Sequence, residues 1–216
     1  MWQNFFDRPK RNYNPYMERM RDYPFYIQWD KETINAKKSL WKEHFQNDNE
    51  IYLEIGSGQG NFTVVNALRY QNKNFLGIEL KFKRLCMSAV KAEKRSLKNI
   101  TFIRRWGQEI LEFIGEGEIS GMFINFPDPW DGNEKNRIIS EDLFKKTLAS
   151  ILKKDDTGYY EDVLALMPSI EGFKVTYSTD DLHNDPRGFE NIKTEFEELF
   201  TKKGISTKFI EITKEF

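Results

Sequence analysis

The chain has 216 residues with 33 basic and 34 acidic side chains, and its net charge of −1 excludes a uniformly basic nucleic-acid wrapper. The single cysteine, Cys86, excludes an internal disulfide and a cysteine-based zinc site, and only His44 and His183 could add imidazole ligands, so no metal is expected. No apolar run approaches the roughly 20 residues that cross a bilayer. Residues 1–11 lack the apolar core of a signal peptide, so we expect a cytoplasmic protein without membrane contact.

The first 50 residues are predicted to form an arm and a cap. Three prolines interrupt any periodicity before residue 30, and a helix is expected over residues 31–45. We therefore expect two parts, an N-terminal arm and cap over residues 1–50 and a larger domain over residues 51–216.

From residue 51 onward, apolar runs alternate with helical patterns. Strands are expected at residues 51–55, 75–79, 100–103, 121–126, 173–178 and 207–212. Helices are expected at residues 61–70, 81–97, 139–153 and 191–203. This alternation predicts an α/β fold, with a largely parallel sheet that carries helices on both faces.

A glycine-rich turn follows the first of these strands, in the sequence Glu54-Ile55-Gly56-Ser57-Gly58-Gln59-Gly60-Asn61. The dinucleotide fingerprint needs its third glycine one residue later, where Asn61 stands. The E-x-G-x-G-x-G spacing favours S-adenosylmethionine instead, although a turn whose glycines serve packing alone also fits. Glu79 ends the second strand 19 residues after Gly60, where an acid can accept hydrogen bonds from both ribose hydroxyls or cap the next helix.

A second motif, Asn125-Phe126-Pro127-Asp128-Pro129-Trp130, ends the fourth strand, at the edge where an open α/β sheet binds its ligands. Its two prolines stiffen the loop and would preorganise Asp128 and Trp130. Trp130 could stack on a splayed-out base or pack in the core, and the sequence leaves both readings open.

Together with a C-terminal stretch, these motifs resemble the tRNA (guanine-N7-)-methyltransferase family. The stretch comprises Asp181-Leu182-His183-Asn184 and Asn191-Ile192-Lys193-Thr194-Glu195-Phe196-Glu197. The resemblance implies a Rossmann-like, S-adenosylmethionine-dependent methyltransferase sheet. It also implies methyl transfer to N7 of a guanine in the tRNA variable loop, with tRNA as the partner; the oligomeric state stays open.

The resemblance further implies the site residues. Cofactor binding is assigned to Glu54, Gly56, Gly58, Gly60, Glu79, Trp106, Gly107, Gln108 and Asp128, with Glu79 on the ribose and the glycines at the methionine end. Substrate binding is assigned to Trp130, Lys135, Arg137, Asp155, Thr194 and Glu197. Asp128 is the catalytic candidate: guanine N7 carries a lone pair and no proton, so the reaction needs a fixed carboxylate to stabilise charge rather than a general base.

Two departures from the family pattern concern the site. Trp106 stands where the family has an aspartate, so the adenine contact would fall to Gln108 or a backbone group. The loop over residues 131–137 is shorter and less basic than in the family, and only Lys135 and Arg137 keep positive charge there.

Two further departures concern the sheet and the charge. After Lys154 the family has an interior strand, whereas here Asp155 follows at once. The sequence therefore predicts a missing strand, through a rebuilt sheet or, as we favour, through residues absent from the sequence. Residues 81–105 carry nine basic side chains and one acid, which fits a solvated helix face or an RNA-facing surface.

Three functions other than tRNA methylation remain compatible with the sequence. A cofactor-binding but inactive RNA-binding partner on the same fold would follow from the altered loop and the missing strand. A methyltransferase of small molecules or proteins is disfavoured by the segment from Thr194 to Glu197. A nicotinamide dehydrogenase is opposed by the glycine spacing.

Overall fold

The computed structural model describes residues 14–127, 149–154, 157–188 and 190–214. The strands of this part of the chain form one sheet in the order β1-β4-β3-β2-β5-β6-β8-β7. They are β1 (Ile27–Gln28), β2 (Glu50–Ile55), β3 (Lys73–Ile78), β4 (Ile100–Ile103), β5 (Gly121–Asn125), β6 (Ala149–Lys154), β7 (Phe173–Thr179) and β8 (Lys208–Lys214). Strands β1 to β6 pair in parallel, and β8 runs antiparallel to both β6 and β7.

The α-helices of the described residues lie mostly between these strands. They are α1 (Pro15–Arg19), α2 (Lys31–Asn35), α3 (Trp41–Phe45), α4 (Asn61–Arg69), α5 (Phe82–Glu93), α6 (Ile110–Phe113), α7 (Thr157–Leu166) and α8 (Glu195–Lys202). Among the described residues, no helix has both the length and the apolar character needed to cross a membrane.

Two apolar clusters cover the two faces of the sheet. One joins side chains of α4 and α5 to those of β3 and β4, and it contains Ala67, Leu85 and Phe102. The other joins α2, α3, α6 and α7 to alternate residues of β2 and β5, such as Leu53 and Ile124. Because successive residues of a strand point to opposite faces, both clusters draw on the same strands. Helices therefore lie on both faces, as the alternating pattern predicts.

The helix expected over residues 31–45 is wrong as a single element, because the chain forms the short helices α2 and α3. Glu118 explains the break: its carboxylate accepts the backbone N–H of Ser39 at 3.0 Å and that of Trp41 at 2.9 Å. Ser39 turns there with φ of 64°. Trp41 is fully buried in the sheet's core, so this region shares the core of the larger domain, while the division at residue 50 stays a prediction.

Of the two readings of the missing strand, the structure shows the rebuilt sheet, because residues expected to end a helix form the strand beside β5. The C-terminal end of the helix expected over residues 139–153 is therefore wrong, and residues 139–148 lie outside the described residues. Residues Ala149–Lys154 form β6, which pairs in parallel with β5 from Met122 to Asn125 and antiparallel with β8. A short apolar run such as Ile151-Leu152 does not distinguish a helix from an interior strand by its periodicity. Without a strand at residues 149–154, the facing edges of β5 and β8 would leave buried N–H and C=O groups without partners, and this favours the strand.

Candidate active site

A cleft opens at the carboxyl ends of the central parallel strands. A cavity of about 280 Å³ lies against the residues that follow β2, β3, β4 and β5, and a second one of about 40 Å³ adjoins it beside the glycine turn. The two cavities share Gly56, Arg84, Asn125 and Phe196 in their walls. Parallel strands bring the loops at their carboxyl ends to one edge, which is where ligands of open α/β sheets bind.

The three glycines of the turn divide into two kinds. A Cβ at Gly56 or Gly58 would meet no atom within 4 Å, so the backbone there faces open space. A Cβ at Gly60 would lie 2.7 Å from Ser88 Oγ and 2.9 Å from Phe102 Cζ. The first two glycines therefore leave room for a ligand, whereas the third permits close packing of the turn on α5 and β4.

Glu54 lines the smaller cavity and holds its wall together through hydrogen bonds. Its side chain is 3% exposed, accepts a hydrogen bond from Asn125 Nδ2 at 2.9 Å and accepts another from the hydroxyl of Thr63. These bonds join the end of β2 to the end of β5 and to helix α4. These contacts of Glu54 hold the cleft together, and its assignment to the cofactor stays a prediction.

Glu79 stands at the end of β3 with its two carboxylate oxygens in different roles. Oε1 accepts the backbone N–H groups of Leu80 and Lys81, both at 2.7 Å, and so fixes the turn into α5. Oε2 lies 3.4 Å from Nη1 of Arg84. The side chain is 8% exposed and lines the larger cavity, so Oε2 is the oxygen placed to accept a ligand hydroxyl.

The segment after β4 forms another wall of the larger cavity, through Trp106, Gly107 and Gln108. Trp106 is 54% exposed, so a large apolar ring borders the space where the family pattern has an aspartate. Arg105 holds this segment through salt bridges to the carboxylates of Glu109 at 2.7 Å and Glu112 at 2.8 Å. The hydrogen bond from Arg105, with further ones from Lys31 and Asn35, lowers the pKa of Glu112 to about 2.

Thr194 and Glu197 form a capping box at the start of α8. Thr194 Oγ1 accepts the N–H of Glu197 at 3.1 Å, and the Glu197 carboxylate accepts the N–H of Thr194 at 3.3 Å. Glu197 is fully buried and also accepts a hydrogen bond from the side chain of Asn191. The helix therefore begins at Glu195 rather than at residue 191 as expected. These contacts give Thr194 and Glu197 a role in folding the helix start, while their assignment to RNA stays a prediction.

The remaining assigned residues lie outside the described residues. They are Asp128, Trp130, Lys135, Arg137 and Asp155. Their assigned roles stay predictions.

Two buried polar groups that the sequence did not single out belong to residues that line the smaller cavity. Ser57 Oγ and Asn125 Oδ1 are buried and have no hydrogen-bond partner among the described residues. A buried acceptor without a partner costs free energy unless a ligand or water satisfies it. Together with the open space at Gly56 and Gly58, these atoms fit a polar ligand such as the amino-acid end of S-adenosylmethionine. The sequence does carry one signal for Asn125, because it is a polar residue at the end of an otherwise apolar strand.

Solved structures show the fold. A structure described as an antibiotic-related methyltransferase has a TM-score of 0.55 at 14% identity and covers 82% of this chain and 94% of its own. A Streptococcus mutans protein solved in complex with SAH has a TM-score of 0.53 at 15% identity, over 77% of this chain and 89% of its own. The expected Rossmann-like sheet with helices on both faces is confirmed.

Sequence comparisons show the family. The family model described as "Putative methyltransferase" matches residues 48–210. A bifunctional glycosyltransferase/methyltransferase of Fusobacterium nucleatum is 49% identical over 99% of this chain, which spans 35% of that relative's length. The tRNA (guanine-N(7)-)-methyltransferase of Clostridium novyi is 35% identical over 80% of this chain and 85% of its own length. That of Streptococcus uberis is 33% identical over 87% and 90%. The chain therefore belongs to the tRNA (guanine-N7-)-methyltransferase family.

Proposed function

We propose that this chain transfers a methyl group from S-adenosylmethionine to N7 of a guanine in tRNA, with the variable loop as the target region. The observation that carries the proposal is the similarity to curated tRNA (guanine-N(7)-)-methyltransferases over 80% of this chain. The family match over residues 48–210 contains every described residue of the cleft.

S-adenosylmethionine, which this family uses, supplies when bound a methyl group on a positively charged sulfur. Glu79 Oε2 would accept hydrogen bonds from its ribose, since Oε1 is already occupied by two backbone N–H groups. Gly56 and Gly58 would let its amino-acid end approach the backbone. Asn125 Oδ1, which has no hydrogen-bond partner among the described residues, would accept a hydrogen bond from its ammonium group.

Methyl transfer to guanine N7 requires orientation and charge stabilisation. The nitrogen attacks through an in-plane lone pair, so no side chain has to remove a proton first. Positive charge moves from the sulfur into the purine, and a fixed carboxylate stabilises it. Asp128 is our candidate for that carboxylate, because it follows β5, whose end borders the cleft.

The Asp128 assignment is tested by Asp128→Asn, which keeps the shape and removes the charge. We expect the turnover number to fall by more than the affinity for S-adenosylhomocysteine, because the interaction strengthens in the transition state. A variant with the turnover number of the unmodified protein would contradict the electrostatic role.

On the substrate side, we propose that tRNA approaches the rim formed by Lys81 and Arg84, exposed cations in the wall of the larger cavity. Trp130, Lys135, Arg137 and Asp155 remain candidates for contacts to it. A tRNA substrate agrees with the expected cytoplasmic location, which stays a prediction. The inactive-partner alternative stays open, because β6 is formed by residues expected to end a helix, as in the rebuilt sheet that the sequence left possible.

The test is transfer of labelled methyl groups from S-adenosylmethionine to unmodified tRNA, followed by mapping of the modified base. We expect the label at N7 of a single guanine. The Asp128→Asn variant and tRNA already carrying the modification serve as controls. Label at another atom or another class of molecule would overturn the substrate, and cofactor binding without any transfer would favour the inactive partner.

A further inference from the structure

Phe196 is the exposed apolar side chain of the segment from Thr194 to Glu197, in which Glu195 is also exposed. Thr194 and Glu197 are buried in the capping box, and Glu195 accepts hydrogen bonds from Gln59 at 3.1 Å and Asn61 at 2.7 Å. Phe196 is 47% exposed and lies in the walls of both cavities. The capping box and the bonds of Glu195 to the glycine turn therefore hold this ring at the mouth of the cleft.

Two further aromatic rings, those of Phe126 and Phe200, pack against the ring of Phe196. Its ring centre lies 6.3 Å from that of Phe200 in a stacked arrangement and 6.4 Å from that of Phe126. Phe126 in turn lies 5.7 Å from Phe200. Phe126 follows β5 directly and adopts φ of 52°, which is uncommon for a bulky residue and is typical of functional sites. The three rings form a firm apolar surface, of which Phe196 is the exposed end.

We propose that the target guanine stacks on the ring of Phe196 while its N7 faces the cofactor; this inference rests on the proposed function. A base taken out of an RNA stack is bound on aromatic side chains, which offer a flat face to any purine. Lys81 and Arg84 line the larger cavity beside the ring, and their charge suits an RNA backbone better than a cationic partner. Phe196 would act as a positioning residue that supplies no group to the chemistry.

Because Phe196 lines both cavities, its ring could instead contact only the cofactor, and this is the competing role. The experiment therefore measures tRNA methylation and S-adenosylhomocysteine binding on the same variants. Phe196→Ala removes the ring, and Phe196→Tyr keeps it. Leu199→Ala is the matched control, because Leu199 is 46% exposed on the same helix and lines neither cavity.

We expect Phe196→Ala to lower kcat/KM for tRNA by about ten- to a hundredfold, the size expected for one base–aromatic stack. Its affinity for S-adenosylhomocysteine by calorimetry should stay within twofold, which also shows that the variant is folded. Phe196→Tyr should stay within about threefold in both measurements, and Leu199→Ala should match the unmodified protein.

Three results on the variants would overturn the inference itself, and a fourth result would overturn the proposed function on which it rests. Phe196→Ala with normal tRNA kinetics excludes stacking. Equal losses of tRNA kinetics and of S-adenosylhomocysteine affinity assign the ring to the cofactor. Equal losses for Leu199→Ala and Phe196→Ala assign the effect to the exposed helix face and point to a protein partner there. An unmodified protein that binds cofactor but does not methylate tRNA refutes the proposed function itself, and the stacking inference falls with it.

Discussion

The carboxylate of Glu79 offers the sharpest test of the cleft, because its two oxygens have separable roles. Glu79→Gln keeps an oxygen for the N–H groups of Leu80 and Lys81 and removes the charged acceptor that faces the larger cavity. A hydrogen bond to a charged group contributes about 1.5–3 kcal/mol. At about 1.4 kcal/mol per tenfold, the affinity for S-adenosylhomocysteine should fall by about 10- to 150-fold.

Calorimetric titration with S-adenosylhomocysteine measures that loss, and thermal unfolding without ligand serves as the second measurement. Glu79→Ala should lose similar affinity and also about 1 kcal/mol of stability, because it removes the acceptor that fixes the start of α5. Glu93→Gln makes the same chemical change at the exposed C-terminal end of α5, outside the cleft, and should bind normally. Binding by Glu79→Gln within twofold of the unmodified protein would refute the assignment of the ribose to Glu79.

Two other changes test the architecture. Gly60→Ala should lower the free energy of unfolding by about 2–4 kcal/mol in denaturant titrations, because its Cβ would crowd Ser88 at a positive φ. Gly58→Ala has a positive φ without the crowding, so it should cost less stability than Gly60→Ala and should weaken S-adenosylhomocysteine binding. Burial lowers the pKa of His44 to about 4, from 6.5. As the pH falls, His44 is therefore protonated in the unfolded chain before it is protonated in the folded protein. The contribution of neutral, buried His44 to the free energy of unfolding is complete above about pH 6.5 and is lost as the pH falls towards 4. Relative to His44→Gln, the unmodified protein should lose about 1–2 kcal/mol between pH 7 and pH 5; parallel pH profiles of the two proteins would contradict this.

The sequence predicted the elements whose signals are local. The strands that became β2 to β5 are short apolar runs bounded by turn residues, and the glycines after β2 mark the edge of the sheet that carries the cleft. The break between α2 and α3 depends on Glu118, and the strand character of Ala149–Lys154 depends on β5 and β8. Both are set by residues distant in the chain, so a local pattern could not reveal them.

The acids show why candidate residues are harder to predict than strands. A glutamate near the end of a strand reads the same in sequence whether it binds a ligand or holds the backbone. Glu54 and Glu197 are buried and bonded to neighbouring side chains or backbone, and they shape the cleft through those bonds. Glu79 divides its carboxylate between the two tasks.

The same reasoning applies to the segment from Thr194 to Glu197. Two of its residues form the capping box, and Glu195 ties α8 to the glycine turn. The bonds of these three residues set where Phe196 stands relative to Gly56 and Asn125 in the shared wall of the two cavities. Substituting Thr194 or Glu197 would therefore disturb substrate handling even if neither touches RNA. Loss of activity in such variants alone cannot distinguish contact from support, which is why the exposed ring and its matched control on the same helix give the more decisive measurement.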